Sequence, residues 1–538
     1  MKTTTTTMTL AMSLVLCLIA SAVVGQVKVP YQRILDSATE PGNWLTYGGN
    51  YAGHRYSTLD QITKDNVASL KPAWIYQAKD AGKWEVTPLV VDGILYISER
   101  PNVVTAIDGR TGRPIWSWRR PMPTDVAGCC GPVNRGLAIL GDALFICTFD
   151  CHLVCIDVNT GKERWDKTLA DYKVGHSMTL APLAIKDKVV VGISGGEFGI
   201  RGWLDAYDAK TGERAWRHWT IPTPDEPGGD TWPKGSDVWQ KGGASTWVTG
   251  TFDPALNTLY WTTGNPGPDY NGDVRLGDNL YTCSVLALDP DTGKRKWHFQ
   301  YTPHDTHDWD SNQVPVLIDV PIDGKPRKLL VQANRNAFYY VLDRETGAFI
   351  TAKQFAKQTW AEGIDAKGRP IKIPGKDPSP EGTLVYPGLE GACNWPSPSY
   401  SPRSGLFYVH AQDDYAQVFY KLKPEYRPGR NFEGGGTRNV LGAEPCGVVK
   451  AIEATTGVTK WEFKEQTSSN TAMLSTATGL LFTGTRDGYF YVLDDTTGKP
   501  LWKFQTGGQV HGGPVTFLID GKQHVAVAAG VGLFVFAL

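Results

Sequence analysis

The sequence has almost no net charge. Its 54 Lys and Arg stand against 55 Asp and Glu, leaving −1 at pH 7 over 538 residues. No polybasic run marks a surface for nucleic acid or anionic lipid. Methionine is scarce, at 6 residues, while Trp (19), Tyr (22) and Gly (59) are plentiful, a balance that favours strands joined by tight turns. No apolar run reaches the roughly 20 residues that span a bilayer. No Cys-x-x-Cys-His occurs, and "CTFDCH" at 147–152 has one residue too many for covalent haem attachment.

What apolar run there is lies at the start. Lys2 precedes a stretch from Leu10 to about Ala20, and Ala20-Ser21-Ala22 offers a small-x-small cleavage site. This predicts a signal peptide over 1–25, a mature chain over 26–538, and export to the periplasm. Cys17 lies inside the run without small residues before it, which does not fit a lipoprotein anchor. Eight of nine cysteines then remain, where disulfides are permitted.

Length alone would suggest about three domains, but a repeat overrides that. "AIDGRTGRPIW" ends at Trp116, "CIDVNTGKERW" at Trp165, "AYDAKTGERAW" at Trp216 and "ALDPDTGKRKW" at Trp297. "VLDRETGAFIT" at Thr351, "AIEATTGVTKW" at Trp461 and "VLDDTTGKPLW" at Trp502 continue it, and "LKPAWIYQ" at Trp74 is a partial eighth copy. Each copy reads as a strand, an Asp-x-x-Thr-Gly hairpin turn with Gly at positive φ, and a Trp opening the next strand. The expected fold is all-β, an eight-bladed β-propeller with Trp-docking repeats. Insertions are expected within 217–296 and 352–460. The tail "HVAVAAGVGLFVFAL" reads as two strands, and "WLTYGGNYAGHRYS" is expected to complete the last blade.

Four stretches depart from this grammar: "GCCGPVNRG" with Cys129, Cys130 and Arg135; "VGISGGEFGIRG" with Glu197; 242–268 with Trp247 and Asn265; and "YTPHDTHDWDSNQ", followed by "ANRN" with Arg335. A bridge between adjacent cysteines would be a strained ring, because their Cα atoms lie about 3.8 Å apart where disulfides span roughly 4.4–6.8 Å. Otherwise the two are thiols on opposite sides of the chain. Glu, Asn and Asp oxygens suit a hard cation. Asp308 and Asp310 would face one side of an extended segment. His304 and His307 read either as a transition-metal pair or as local hydrogen-bonding groups.

Together these motifs resemble the quinoprotein alcohol dehydrogenases that use pyrroloquinoline quinone (PQQ), over essentially the whole mature chain. "GCCGPVNRG", "GISGGE", "TTGNPGP" and "HDWDSNQ" carry the resemblance. It implies that Cys129 and Cys130 form a vicinal disulfide on one face of the quinone and that Trp247 stacks on the other. It implies cofactor contacts from Glu85, Arg135, Thr179, Ser194, Gly195, Gly196, Arg335 and Asn394, and from Ser245 on its spacing before Trp247 alone. The metal ligands implied are Glu197, Asn265, Asp308 and Asp310, with Asp308 also the catalytic base and Arg335 beside the reactive carbonyl. Asp310 resembles the extra carboxylate of the lanthanide-dependent branch, with Ca2+ as the alternative metal. The implied reaction oxidises a primary alcohol to an aldehyde and passes electrons to a soluble periplasmic cytochrome c, with homodimer formation left open. A polyol, sugar or aldehyde is the alternative substrate, and a non-catalytic propeller scaffold the remote alternative. One departure is Asn470, about where relatives carry Trp in a "WGG" stretch.

Overall fold

The computed structural model describes residues 26–538 except 81, 323, 443–445 and 470. The expected signal peptide and Asn470 therefore lie outside the described residues. Strands dominate, and the one α-helix among the described residues is the short Tyr31–Leu35. No helix among them is long and apolar enough to cross a membrane.

Among the described residues the strands group into seven four-stranded sheets and one five-stranded sheet, with two smaller sheets beside them. The first sheet runs Leu89–Val91, Ile94–Glu99, Val103–Asp108 and Pro114–Arg119, each strand antiparallel to the next. Burial falls along that order. The first two strands are wholly buried, whereas Pro114–Arg119 is largely exposed. The core lies between sheets: Val90, Leu95 and Ile107 pack in one cluster with Phe517, Val527 and Phe536.

Five of the seven repeat turns, those of Asp157, Asp208, Asp289, Asp343 and Asp494, share one pattern of two backbone N–H groups and a Thr hydroxyl on a single Asp oxygen. Asp157 Oδ1 accepts the backbone N–H of Asn159 and Thr160 and the Thr160 hydroxyl. The repeat glycines Gly112, Gly161, Gly212, Gly293, Gly347, Gly457 and Gly498 have φ between 70° and 76°. Positive φ is one reason for glycine and proximity is another. A Cβ on Gly161 would stand 2.5 Å from the Trp116 ring, and Gly112, Gly212, Gly293, Gly347 and Gly498 lie equally tight against Trp74, Trp165, Trp216, Trp297 and Trp461. Where the repeat has Thr351 in place of Trp, Gly457 meets Lys353 and Tyr339 instead.

The closing strand differs from expectation. Lys71–Gln77, around Trp74, pairs antiparallel with the last strand, Gly532–Ala537. The earlier segment contributes Tyr56–Ser57, parallel to Leu474–Thr476 in the preceding sheet, and a single bridge from Trp44 to Val90 of the first sheet. The reason lies in the strand's place: the closing sheet lacks its exposed outermost strand, and the alternating exposure of Lys71–Gln77 matches that position. The tail forms Lys522–Ala529 and Gly532–Ala537. The two small sheets fall in the long gap before Trp461, as Ala361–Ile364 with Pro370–Lys372, and Thr383–Val385 with Gln417–Lys421 and Gly435–Asn439.

Gly161→Ala is expected to lower stability by about 1–3 kcal/mol, since it adds a ring clash to left-handed strain. Gly324→Ala, at φ 74° with nothing within 4 Å of the new Cβ, should cost only about 1 kcal/mol. Denaturant midpoints of both variants check the difference; equal midpoints would remove the ring contact as a constraint.

Candidate active site

In an antiparallel pair the entry to the first strand and the exit from the second lie at the same edge. Glu85 precedes Leu89–Val91, Cys129, Cys130 and Arg135 precede Ala138–Leu140, Thr179 precedes Leu183–Ile185 and Trp247 precedes Thr251–Asp253. Ser194 and Glu197 follow Lys188–Gly192, Asn265 follows Thr258–Thr262, and Arg335 follows Lys325–Ala333. Residues separated by some 300 positions thus converge on one cavity of about 210 Å³.

Of the sequence-named residues, Glu85, Cys129, Cys130, Arg135, Thr179, Ser194, Gly195, Glu197, Trp247, Asp308, Asp310, Arg335 and Asn394 line it. Gly196, Ser245 and Asn265 stand just behind: a Cβ on Gly196 would lie 3.4 Å from Ser245 Oγ and 3.7 Å from Asn265 Oδ1. Lys83, Ser177, Phe149, Trp395 and Arg486 also line the cavity and were not singled out from the sequence. Adjacency of Trp395 to Asn394 was the one available signal.

One wall is a hydrogen-bonded chain. Arg135 NH2 stands 2.8 Å from Glu85 Oε2, but not in line for a hydrogen bond, so that oxygen lacks one. Arg135 NH1 donates to Thr179 Oγ1 at 2.6 Å, and Thr179 Oγ1 lies 3.2 Å from Ser194 Oγ. The Arg135 guanidinium also sits 4.8 Å from the Trp247 ring centroid and 4.6 Å from that of Trp395. Cys129 and Cys130 are exposed free thiols with Sγ atoms 2.6 Å apart.

The opposite wall is acidic. Asp310 Oδ1 accepts the Asn265 backbone N–H at 2.9 Å, while Oδ2 accepts Trp247 Nε1 at 3.2 Å and Arg335 NH1 at 2.9 Å. Gly264 permits this, because a Cβ there would meet Asp310 Oδ1 at 2.3 Å. Asp308 is not in extended backbone; its φ is 58°, and its carboxyl makes no hydrogen bond among the described residues. Asp305 Oδ2 holds this turn by accepting Trp309 N–H at 3.0 Å, and burial pushes the Asp305 carboxyl up to about 6.

Burial is the main cause that raises the carboxyls of Glu85, Glu197, Asp308 and Asp310 above their ordinary range. Arg335 opposes the rise at Asp308 and Asp310. Among the described residues no three His, Cys, Asp or Glu side chains meet closely enough to hold a metal as they stand. The donor set nevertheless fits a hard cation: Glu197, Asn265, Asp308 and Asp310 supply oxygens, and their carboxylates outnumber Arg335. Nε of Arg135 and of Arg335 lack acceptors, which fits a flat, carbonyl-rich anionic ligand between them.

The histidines take the local role. His304 Nδ1 lies 2.8 Å from Gly277 O, and His307 Nε2 lies 2.9 Å from Lys376 O with its ring stacked on Trp309. Cys147, Cys151 and Cys155 are buried free thiols, and Cys393 and Cys446 are also free.

A family model described as "Glucose/ethanol/alcohol dehydrogenase, beta-propeller domain" matches residues 44–358 and 437–525. The chain is 37% identical to the quinoprotein alcohol dehydrogenase PedH of Pseudomonas putida, over 97% of this chain and 92% of that one. It is 38% identical to the lanthanide-dependent methanol dehydrogenase of Methylacidiphilum fumariolicum, over 93% and 86%. A solved europium-containing methanol dehydrogenase superposes with a TM-score of 0.89 at 34% identity, covering 94% of this chain and all of that one.

Raised carboxyls keep their protons to higher pH, so a cation arriving at Glu197 and Asp308 must displace them. Affinity for Ca2+ or La3+ is therefore expected to climb as pH rises through and above the ordinary carboxylate range, with proton release on binding. Calorimetry in buffers of different ionisation enthalpy checks this; buffer-independent heats at the acid end of that range would exclude it.

Proposed function

The chain belongs to the PQQ-dependent quinoprotein alcohol dehydrogenases, with their all-β propeller fold, and from that premise we propose that it oxidises a primary alcohol to its aldehyde at this cavity, with Asp308 as base. The observation that carries the assignment is Asp308 itself: a carboxyl with no hydrogen bond among the described residues, lining with Glu197 and Arg335 a cavity that Cys129, Cys130 and Trp247 also line.

When bound, PQQ supplies a two-electron acceptor and the metal ion supplies Lewis acidity. Glu197, Asn265, Asp308 and Asp310 are the residues that would hold the ion. Glu85, Arg135, Thr179, Ser194, Gly195, Gly196, Ser245 and Asn394 would hold the cofactor's polar edge, with Cys129 and Cys130 and Trp247 as its two flat faces. Asp308 accepts the proton of the alcohol hydroxyl at its carboxylate oxygen. Its burial favours the protonated form, and the positive charge of Arg335 favours the ionised one. Arg335 is anchored for that task by Asp310 at 2.9 Å and by Leu389 O at 2.6 Å, and it stabilises charge that develops opposite the base. The Cys129 and Cys130 thiols, free in the structure, act in this reading as a rigid surface once oxidised to a disulfide in an exported protein, since a bridge across one peptide closes no loop worth stabilising.

The same reading takes the eight large sheets as eight blades of one ring, each repeat Trp docking on the next repeat's turn. The six indole–glycine contacts and the Lys71–Gln77 closure support it. It takes a lanthanide as the metal, on the carboxylate Asp310 and the likeness to lanthanide relatives, with Ca2+ as the alternative. Export to the periplasm and a soluble cytochrome c acceptor complete it.

Purified protein given PQQ and either La3+ or Ca2+ should reduce an artificial dye in the presence of a primary alcohol. No dye reduction with any alcohol of a broad panel, under either metal, would reject the reading. Asp308→Asn is expected to lower kcat by at least about 100-fold with cofactor binding retained, as read from the bound quinone's absorbance. Asp310→Ala should abolish La3+-supported turnover; unchanged La3+ activity would remove Asp310 from the ligand set.

A further inference from the structure

One buried acidic residue that does not line the cavity, four residues after Asn265, has no part in this account. Asp269 is 1% exposed, and neither oxygen of its carboxyl has a hydrogen-bond partner. The chain around it is pinned. Tyr270 N–H donates to Glu433 O at 2.9 Å, and Phe432 N–H donates to Glu197 O at 2.6 Å. A Cβ on Gly267 would stand 3.6 Å from Gly196 O. Residues 265–270 are thereby wedged between the connection carrying Glu197 and the segment carrying Glu433. Arg275 is close by, yet its guanidinium donates to the carbonyls of Pro268, Asp269 and Asp305 and to Asn279 Oδ1, with no hydrogen bond to the Asp269 carboxyl.

The charges acting on Asp269 are mostly of its own sign: Glu197, Glu433 and Asp310, against Arg275. Asp308 in turn feels Asp269. Glu197, Asp269, Asp308, Asp310 and Glu433 make five carboxyls, and Arg275 and Arg335 two guanidiniums, so full ionisation of these groups would leave three negative charges without a counter-charge among them. A buried carboxylate lacking any donor is costly to the empty protein and favourable to a multivalent ion. Resting on the metal set proposed above, we propose that Asp269 is a further carboxylate of the cation site, and that its charge biases the site toward a trivalent ion. Its interaction with the ion scales with ionic charge, so it favours a trivalent over a divalent cation at equal distance.

The test uses the PQQ-loaded protein and its Asp269→Asn variant, an isosteric change that removes only the charge. Tb3+ binding is read by tryptophan-sensitised luminescence, and Ca2+ binding by competition against it. Asp269→Asn is expected to weaken Tb3+ by about 10- to 100-fold. Because the effect scales with charge, a loss of about 30-fold for Tb3+ corresponds to one of about 10-fold for Ca2+, so the preference for the trivalent ion narrows. The rise in Tm that Tb3+ produces should shrink in parallel. Unchanged Tb3+ affinity and an unchanged Tb3+-to-Ca2+ ratio would overturn the assignment and leave Asp269 a protonated core residue. If circular dichroism shows Asp269→Asn unfolded, Asp269→Ser takes its place with the same readouts. Failure of the wild-type protein to bind either ion would instead overturn the metal set proposed above.

Discussion

Negative charge held in a buried centre without enough positive partners is the constraint on which this protein depends. Burial raises Glu197, Asp269, Asp308 and Asp310, and neighbouring acids add to the rise at the first three. Arg335 offsets part of that through Asp310, and the remainder asks for a cation from outside. A core that needed only stability would have apolar side chains there. The acids persist at a cost to the empty protein, and that cost is recovered only when an ion enters, on the reading proposed.

Holding such a cluster in place requires a frame that does not yield. The frame is built from one turn repeated. Asp fixes the turn backbone, Gly takes the left-handed conformation, and the absence of a Cβ lets the preceding repeat's indole lie on it. Each contact ties one sheet to its neighbour, and the antiparallel order brings strand entries and exits to a common edge. Loops at that edge carry the chemistry while the strands beneath them set the spacing. Arg135, between Trp247 and Trp395, and Asp310, between Trp247, Asn265 and Arg335, are fixed by partners drawn from several sheets.

Much of this was legible in the linear sequence because its physics is local. Asp-x-x-Thr-Gly specifies a hairpin turn through its own side chain and its own φ, whatever surrounds it. Cys129 next to Cys130, Glu197 after two glycines, and Asp308 two residues before Asp310 are unusual as written. The errors fell where the deciding partner is distant. Lys71–Gln77 closes the last sheet because Gly532–Ala537 lacks an outer neighbour, a vacancy more than 450 residues away. Asp308 and Asp310 reach one cavity without an extended backbone, since Asp305 curls the turn by accepting Trp309 N–H.

The sequence by itself determined the all-β repeat, its turns, and most of the residues that line the centre, since turn chemistry and strand alternation act within a few residues. Only the tertiary structure decided which side chains are left without partners. Asp269 in "GNPGPDYN" reads as an ordinary polar turn residue. It becomes a buried, donor-less carboxyl because Glu433 and Arg275 bind the backbone around it, Gly196 closes against Gly267, and none of them offers its side chain a hydrogen bond. Burial and the identity of the nearest charge are properties of packing, and no short stretch of sequence contains them.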